Sequence, residues 1–355
     1  MIKYLCLVCL IQVVYSEQYF YLSKKADNVI EQYLLTSNGN LQFLSQLKLP
    51  GGPGGLTLSS DSKHIYFSIS NDETIELGTA VINQKGKLSF LGKSKIESGG
   101  SGTISKCGHF YLKYNYRANT VSVLEMEEHL HTGRQIQEIR TTKNPHDIGV
   151  SNDGSLVFIP HNGQNRLYQF SLNSDSGELE PLNPPYLEGA KFEEQGFSAF
   201  RSLAFHPQKN VVYCTYEKGG GLASLRYDEN GLKLWQEFST VDKGVHVLPT
   251  TVALSPNKQF LFVPNRGVRK SPTSITTFRL DPKSGRVLSR VGVFETSASG
   301  PRSITVDETG DFLFTSSVKT NKTYQFKINK DGSLKLFKEH KMGSGSMLII
   351  GTKSK

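Results

Sequence analysis

Seven times along its 355 residues the chain repeats a short apolar segment of the kind buried on both faces of a β-sheet. The copies are Tyr19-Phe20-Tyr21, Ile65-Tyr66-Phe67, Phe110-Tyr111-Leu112, Leu156-Val157-Phe158, Val211-Val212-Tyr213, Phe260-Leu261-Phe262 and Phe312-Leu313-Phe314. Their first members are spaced 46, 45, 46, 55, 49 and 52 residues apart. Most copies follow a tight turn, as Leu156 follows Ser151-Asn152-Asp153-Gly154, where Asn, Asp and Gly tolerate left-handed backbone. A second polar turn, such as Ser37-Asn38-Gly39 or Asp175-Ser176-Gly177, joins two alternating strands in the latter half of each unit. A repeat of ~45 residues holding four short strands is the signature of a propeller blade.

The expected fold is therefore all-β: a seven-bladed β-propeller of four-stranded antiparallel blades, filling residues 17–355 as a single domain. The first copy has no strand before it, whereas Gly343–Thr352 reads as a spare inner strand. Pairing the two closes the ring, with the C-terminal strand beside the N-terminal strands, and leaves no open edge. The spacing of 55 marks an insertion around residues 183–198, containing Pro184-Pro185 and Gly189, expected as a loop over one face. Twenty Phe and 15 Tyr against 4 Met suit strands rather than helices.

Residues 1–16 combine Lys3, an apolar run from Leu5 to Val14, and small Val14 and Ser16. That is the pattern of a secretory signal cleaved after Ser16, and the expected location is extracellular. The run is too short to span a bilayer, and no later stretch is long enough. Cys6 and Cys9 leave with the leader, so Cys107 and Cys214, at non-equivalent positions of different repeats, are expected as separate thiols. Asn321-Lys322-Thr323 is a glycosylation sequon. The formal charge of +9 is scattered, with no basic helix or arm. The expected partner is a small anionic molecule rather than nucleic acid, and the chain is expected to act as a monomer.

Aligning the repeats puts Gly55, Gly102, His146, Arg201, Thr250 and Arg302 at the start of successive inner strands, around the mouth of the central channel. The strands after the turn end on the same face and add Glu217, Asn265 and Arg266. An imidazole, a carboxylate and three guanidiniums then share one funnel, and Arg binds carboxylate or phosphate in bidentate fashion. The segments NPHDIGVSNDGSLVFIP (144–160), FRSLAFHPQKNVVYCTYE (200–217), VALSPNKQFLFVPNRG (252–267) and GPRSITVDETGDFLF (300–314) resemble the seven-bladed lactonase family. That family includes bacterial-type 6-phosphogluconolactonase and the fungal carboxymuconate-lactonizing enzyme. The resemblance implies that His146, Arg201, Glu217 and Arg266 are catalytic and matches Arg302 to the family's arginine in the last blade; Arg302, Asn265 and Thr250, by their places at the mouth, are expected to bind substrate. The family usually has Gly-Pro-Arg-His where this chain has Ala199-Phe200-Arg201-Ser202.

Two reactions fit these groups. In lactone hydrolysis, His146 takes the proton of the attacking water, Glu217 orients it or shares the task, and the arginines offset the oxyanion. In the cyclising direction, His146 or Glu217 delivers a proton to carbon while the arginines hold carboxylates. Neither needs a metal or redox cofactor. The alternative is a secreted propeller that binds an anionic metabolite, glycan or protein without turnover. His129 and His131 have a metal-like spacing but read as a solvated loop, and Gly51–Gly55 and Gly219–Gly221 read as blade-edge turns.

Overall fold

A computed structural model describes residues 17–71, 74–97, 100–189, 191–192, 196–268 and 270–351. The leader at 1–16 lies outside the described residues. Seven antiparallel sheets follow one another, each meandering outward from a short strand on the channel to an edge strand on the rim. Blade 4 is typical: Gly149–Val150, Leu156–His161, Arg166–Leu172 and Leu179–Glu188, from the channel to the rim. Blade 1 takes its innermost strand, Met347–Gly351, from the other end of the chain, with Gln18 opposite Gly351 and Leu22 opposite Met347. The ring closes as the sequence predicts, and no sheet edge is left open between the first and last blades.

The hairpins leading into the apolar strands share a device that fixes their register. Ser59, Ser105, Ser151 and Ser255 occupy equivalent places, and each hydroxyl oxygen accepts the amide N–H five residues on, at 2.9–3.1 Å. Asp307 does the same for Phe312 in blade 7, at 2.8 Å. A side chain thus satisfies a backbone donor that would otherwise be buried unpaired beside the core. Apolar faces of neighbouring blades then pack on each other. Phe110, Leu112, Val121 and Val123 of blade 3 meet Ile148, Val150, Val157 and Ile159 of blade 4. Phe20 and Leu22 meet Phe312 and Phe314 across the closure. The outer hairpin glycines are part of this packing. Gly177 (φ +78°) leaves no room for a side chain, because a Cβ there would lie 2.6 Å from the Phe110 ring of the preceding blade.

The segment 183–198 differs from expectation. Residues through Glu188 continue the rim strand of blade 4, and only Lys191–Phe192 and Gly196–Phe197 form a separate two-stranded ribbon. Pro184 and Pro185 are tolerated because an edge strand has one side without a ladder partner. Asn165 fastens the base of this segment. Its Oδ1 accepts from Ser198 Oγ (2.5 Å) and the Ala199 amide (2.8 Å), and its Nδ2 donates to Gly189 O (2.9 Å). Cys107 is exposed and Cys214 is buried, both unbridged. No helix among the described residues is long and apolar enough to cross a membrane.

His161 makes stability depend on pH. It is fully buried, with Nδ1 2.9 Å from Ile159 O and Nε2 2.9 Å from Thr141 Oγ1. Burial, above all, lowers its pKa to about 4. Between the ordinary imidazole value of about 6.5 and pH 4, the unfolded chain takes a proton that the folded chain refuses, so stability falls as pH drops through that window. A shift of this size corresponds to on the order of 3 kcal/mol, fully lost below pH 4. Urea unfolding at pH 7, 5.5 and 4 is expected to show the decline, and His161→Gln to lessen it, leaving the part due to the partly buried His146 and His340. Equal stability at pH 7 and pH 4 in the wild type contradicts this account.

Candidate active site

The side chains at the channel mouth are aimed by the ends of two strand types. The inner strands of blades 4, 5 and 7 are each preceded by a residue in left-handed conformation: Asn144 (φ +61°), Ala199 (φ +58°) and Gly300 (φ +72°). Each turns the chain so that the residue two further on, His146, Arg201 or Arg302, stands at the mouth, just before or at the start of its inner strand. Gly300 adopts this backbone without strain, whereas Ala199 does so at a cost of about 1 kcal/mol. The neighbouring strands leave the disc on the same face. Counting six residues on from each apolar strand's first member gives Tyr116, Asn162, Glu217 and Arg266 in blades 3 to 6.

These two rings meet at Glu217. Arg201 Nη1 donates to Glu217 Oε1 at 2.7 Å, and Arg266 Nη2 donates to the same oxygen. Asn162 Nδ2 donates to the other oxygen, Oε2, at 2.6 Å. Burial pushes the Glu217 carboxyl up, but Arg201, Asn162 and Arg266 together outweigh it and hold the group below the ordinary carboxylate range. The ion pairs are largely out of water, with the Arg201 side chain 6% exposed and Glu217 13%. Both guanidiniums keep one donor in reserve. Nε of Arg201 and Nε of Arg266 are buried with no hydrogen-bond partner among the described residues, and so is Asn162 Oδ1. Buried polar atoms are rarely left unpaired, and three around one carboxylate mark a place prepared for a further molecule.

His146 sits beside this cluster. Its backbone N–H donates to Pro160 O at 2.8 Å, and its ring meets the edge of Tyr116 with centroids 5.5 Å apart. Burial and then the Arg201 charge lower its pKa to about 4, against the opposing pull of Glu217. The imidazole is therefore neutral at pH 7 and keeps a lone pair to accept a proton. A cavity of about 380 Å³ opens from it, lined also by Lys25, Gly55, Ser101, Tyr114 and Tyr116. That volume suits a small molecule.

The sequence names four residues for this place; the fold joins Arg201, Glu217 and Arg266 in one ion-paired cluster and sets His146 beside it, with His146 alone of the four lining the cavity. Three others fare differently. Arg302 is exposed and bears on Arg201 through its charge. Thr250 reaches the right strand position but is fully buried, its hydroxyl donating to Pro264 O at 3.2 Å. Asn265 is also fully buried, and its Nδ2 donates to Ser274 and Thr276 hydroxyls. Thr250 and Asn265 thus hold blade 6 together and neither lines the cavity, although Asn265 Oδ1 is buried with no hydrogen-bond partner among the described residues. Asn321 is exposed at a blade 7 turn, its Oδ1 accepting from Ser344. Sequence reasoning missed Asn162, Tyr116 and Asp147. The six-residue count finds the first two. Asp147 gives no signal, because only the fold shows it part-buried and accepting from the Ile148 amide (2.9 Å), the Leu203 amide (2.9 Å) and Ser202 Oγ (3.1 Å). It ties blade 4 to the strand that carries Arg201.

The sequence matches the family model for lactonase, 7-bladed beta-propeller, over residues 19–350. The chain belongs to the seven-bladed β-propeller lactonase family. A curated lactonase relative, 6-phosphogluconolactonase of Yersinia pseudotuberculosis, is 24% identical over 94% of this chain and 97% of its own length. The corresponding protein of Yersinia enterocolitica is also 24% identical, over 94% and 98%. Among solved structures, the periplasmic gluconolactonase of Pseudomonas aeruginosa superposes with a TM-score of 0.84 at 18% identity, covering 95% of this lactonase and 100% of its own chain. At that identity the likeness is one of fold.

Proposed function

We propose that this lactonase hydrolyses the ring ester of a sugar-acid or carboxylated lactone outside the cell, with His146 as general base. The observation that carries the reading is the neutral imidazole beside two guanidiniums that each hold a buried N–H without a partner. Water attacks the lactone carbonyl as His146 takes its proton. The carbonyl oxygen becomes an oxyanion, stabilised by the guanidinium charges of Arg201 and Arg266. The tetrahedral intermediate collapses with cleavage of the ring C–O bond. The protonated imidazole returns its proton to the leaving alkoxide, and the product is an open-chain hydroxy acid. Glu217 is unsuited to share the base's task, because all its bonded contacts are donors and its carboxyl is held ionised. Its role is to hold both arginines at the mouth.

The named curated relatives are 6-phosphogluconolactonases, which supports hydrolysis as the direction of reaction rather than cyclisation. The leader-like residues 1–16 and the periplasmic gluconolactonase among the structural neighbours support export and an unphosphorylated substrate. The expected outcome of a lactone panel, read by proton release at pH 6, is turnover of gluconolactone-type substrates above the spontaneous rate. No turnover of any member overturns the hydrolytic reading. A rise in melting temperature with gluconate under those circumstances would favour a binding protein instead.

A further inference from the structure

On the face opposite the channel mouth, blades 2 and 3 bring together side chains that the sequence keeps far apart. Asp61 lies in the hairpin entering the apolar strand of blade 2, and His64 begins that strand. His129 comes from the outer hairpin of blade 3, between Thr120–Glu127 and Leu130–Arg140. The ligand atoms of the three all lie within 4.8 Å of one another. The two imidazoles stack with centroids 3.5 Å apart and planes 16° from parallel, so their lone pairs lie in parallel planes and one ring must turn out of the stack for both to ligate one ion. His64 Nδ1 stands 3.6 Å from Asp61 Oδ1, beyond hydrogen-bond range, and is buried with no hydrogen-bond partner among the described residues.

From this geometry we infer that Asp61, His64 and His129 form a binding site for a divalent transition metal, of which zinc is the best fit. Two imidazoles and one carboxylate are the ligand set preferred by zinc, copper or nickel over calcium and magnesium. Three protein ligands leave a fourth position for water. His129 is held in place from outside the set: the Tyr66 hydroxyl lies 2.8 Å from its Nδ1, and its carbonyl accepts from Thr79 Oγ1 at 2.7 Å. Such outer contacts fix ring orientation and tautomer in metal sites. The turn that presents His129 carries two successive non-glycine residues in left-handed backbone, Glu128 (φ +46°) and His129 (φ +65°), where hairpins usually place Asn-Gly. His129 also borders a surface cavity of about 850 Å³ whose lining sets Glu125, Glu127, Glu128, Asp175 and Glu178 against Arg134, a local negative excess toward cations in a net basic protein. The rival pairing of His129 with His131 is not made, because His131 Nδ1 lies 3.0 Å from Glu125 O instead.

The test is calorimetric titration of the chelator-stripped full chain with zinc chloride, followed by cobalt(II) loading read by its d–d absorption. The expected result is one ion per chain and a tetrahedral cobalt spectrum. His64→Ala and His129→Gly each weaken zinc by on the order of 100-fold or more, beyond the roughly 10–100-fold lost when only an outer partner is removed. Asp61→Asn weakens it less, and His131→Ala leaves it unchanged. His129→Gly suits the left-handed turn, so it reports on the ion even if His64→Ala fails to fold. Absence of zinc binding, or binding undiminished in His129→Gly, overturns the site. Neither readout depends on lactone turnover.

Discussion

Replacing Glu217 with leucine is expected to cost the fold about 3–5 kcal/mol, the cost of leaving buried charge without its counter-ion. The substitution strands the guanidiniums of Arg201 and Arg266, which now converge on one carboxylate oxygen. It also leaves the Asn162 amide with nothing to donate to. Volume is not the reason, since leucine roughly fills the space. The distinguishing experiment is a mutant cycle followed by urea unfolding. Glu217→Leu in an Arg201→Met, Arg266→Met background should cost much less than in the wild type, because no charge is then left uncompensated. Equal costs in the two backgrounds would mean that the ion pairs contribute nothing.

The second large effect is on catalysis. His146→Ala is expected to lower kcat by roughly 10²–10⁴-fold, the range contributed by a positioned general base. The same change should leave the fold intact, because the ring packs on the edge of Tyr116 beside a cavity and the bond to Pro160 O is a backbone one. Arg201→Gln acts differently. It removes an oxyanion donor and also one of the causes that lower the His146 pKa, so that pKa should rise toward its ordinary value. A loss of turnover in His146→Ala no greater than that in Tyr116→Phe would remove the imidazole from the reaction.

Much of this was readable in the chain. Seven apolar segments at a near-constant spacing leave few arrangements other than blades, and the spare strand near the C-terminus implied its own partner at residues 18–22. His146, Arg201, Glu217 and Arg266 were legible because strand order fixes which ends share a face. What register cannot say is where a side chain turns. Thr250 stands at the right place, yet its hydroxyl is taken by Pro264 O, and only the kink of the blade 6 inner strand shows it. Asp147 carries no signal in the sequence; its bonds to the Ser202 hydroxyl and Leu203 amide exist only once blades 4 and 5 pack together. Pro184-Pro185 reads as a break until the strand is seen to be an edge. His64 and His129 have no sequence relation at all; packing of one blade on the next creates the pair.

The most direct measurement is the pH dependence of kcat/KM for a gluconolactone-type substrate between pH 3 and 7, where spontaneous ring opening is slowest. The acid limb belongs to the free enzyme's base, and the account predicts an apparent pKa of about 4, moved upward in Arg201→Gln and absent from the residual rate of His146→Ala. A limb near 6.5 that ignores Arg201, or a profile that survives intact without His146, would contradict it.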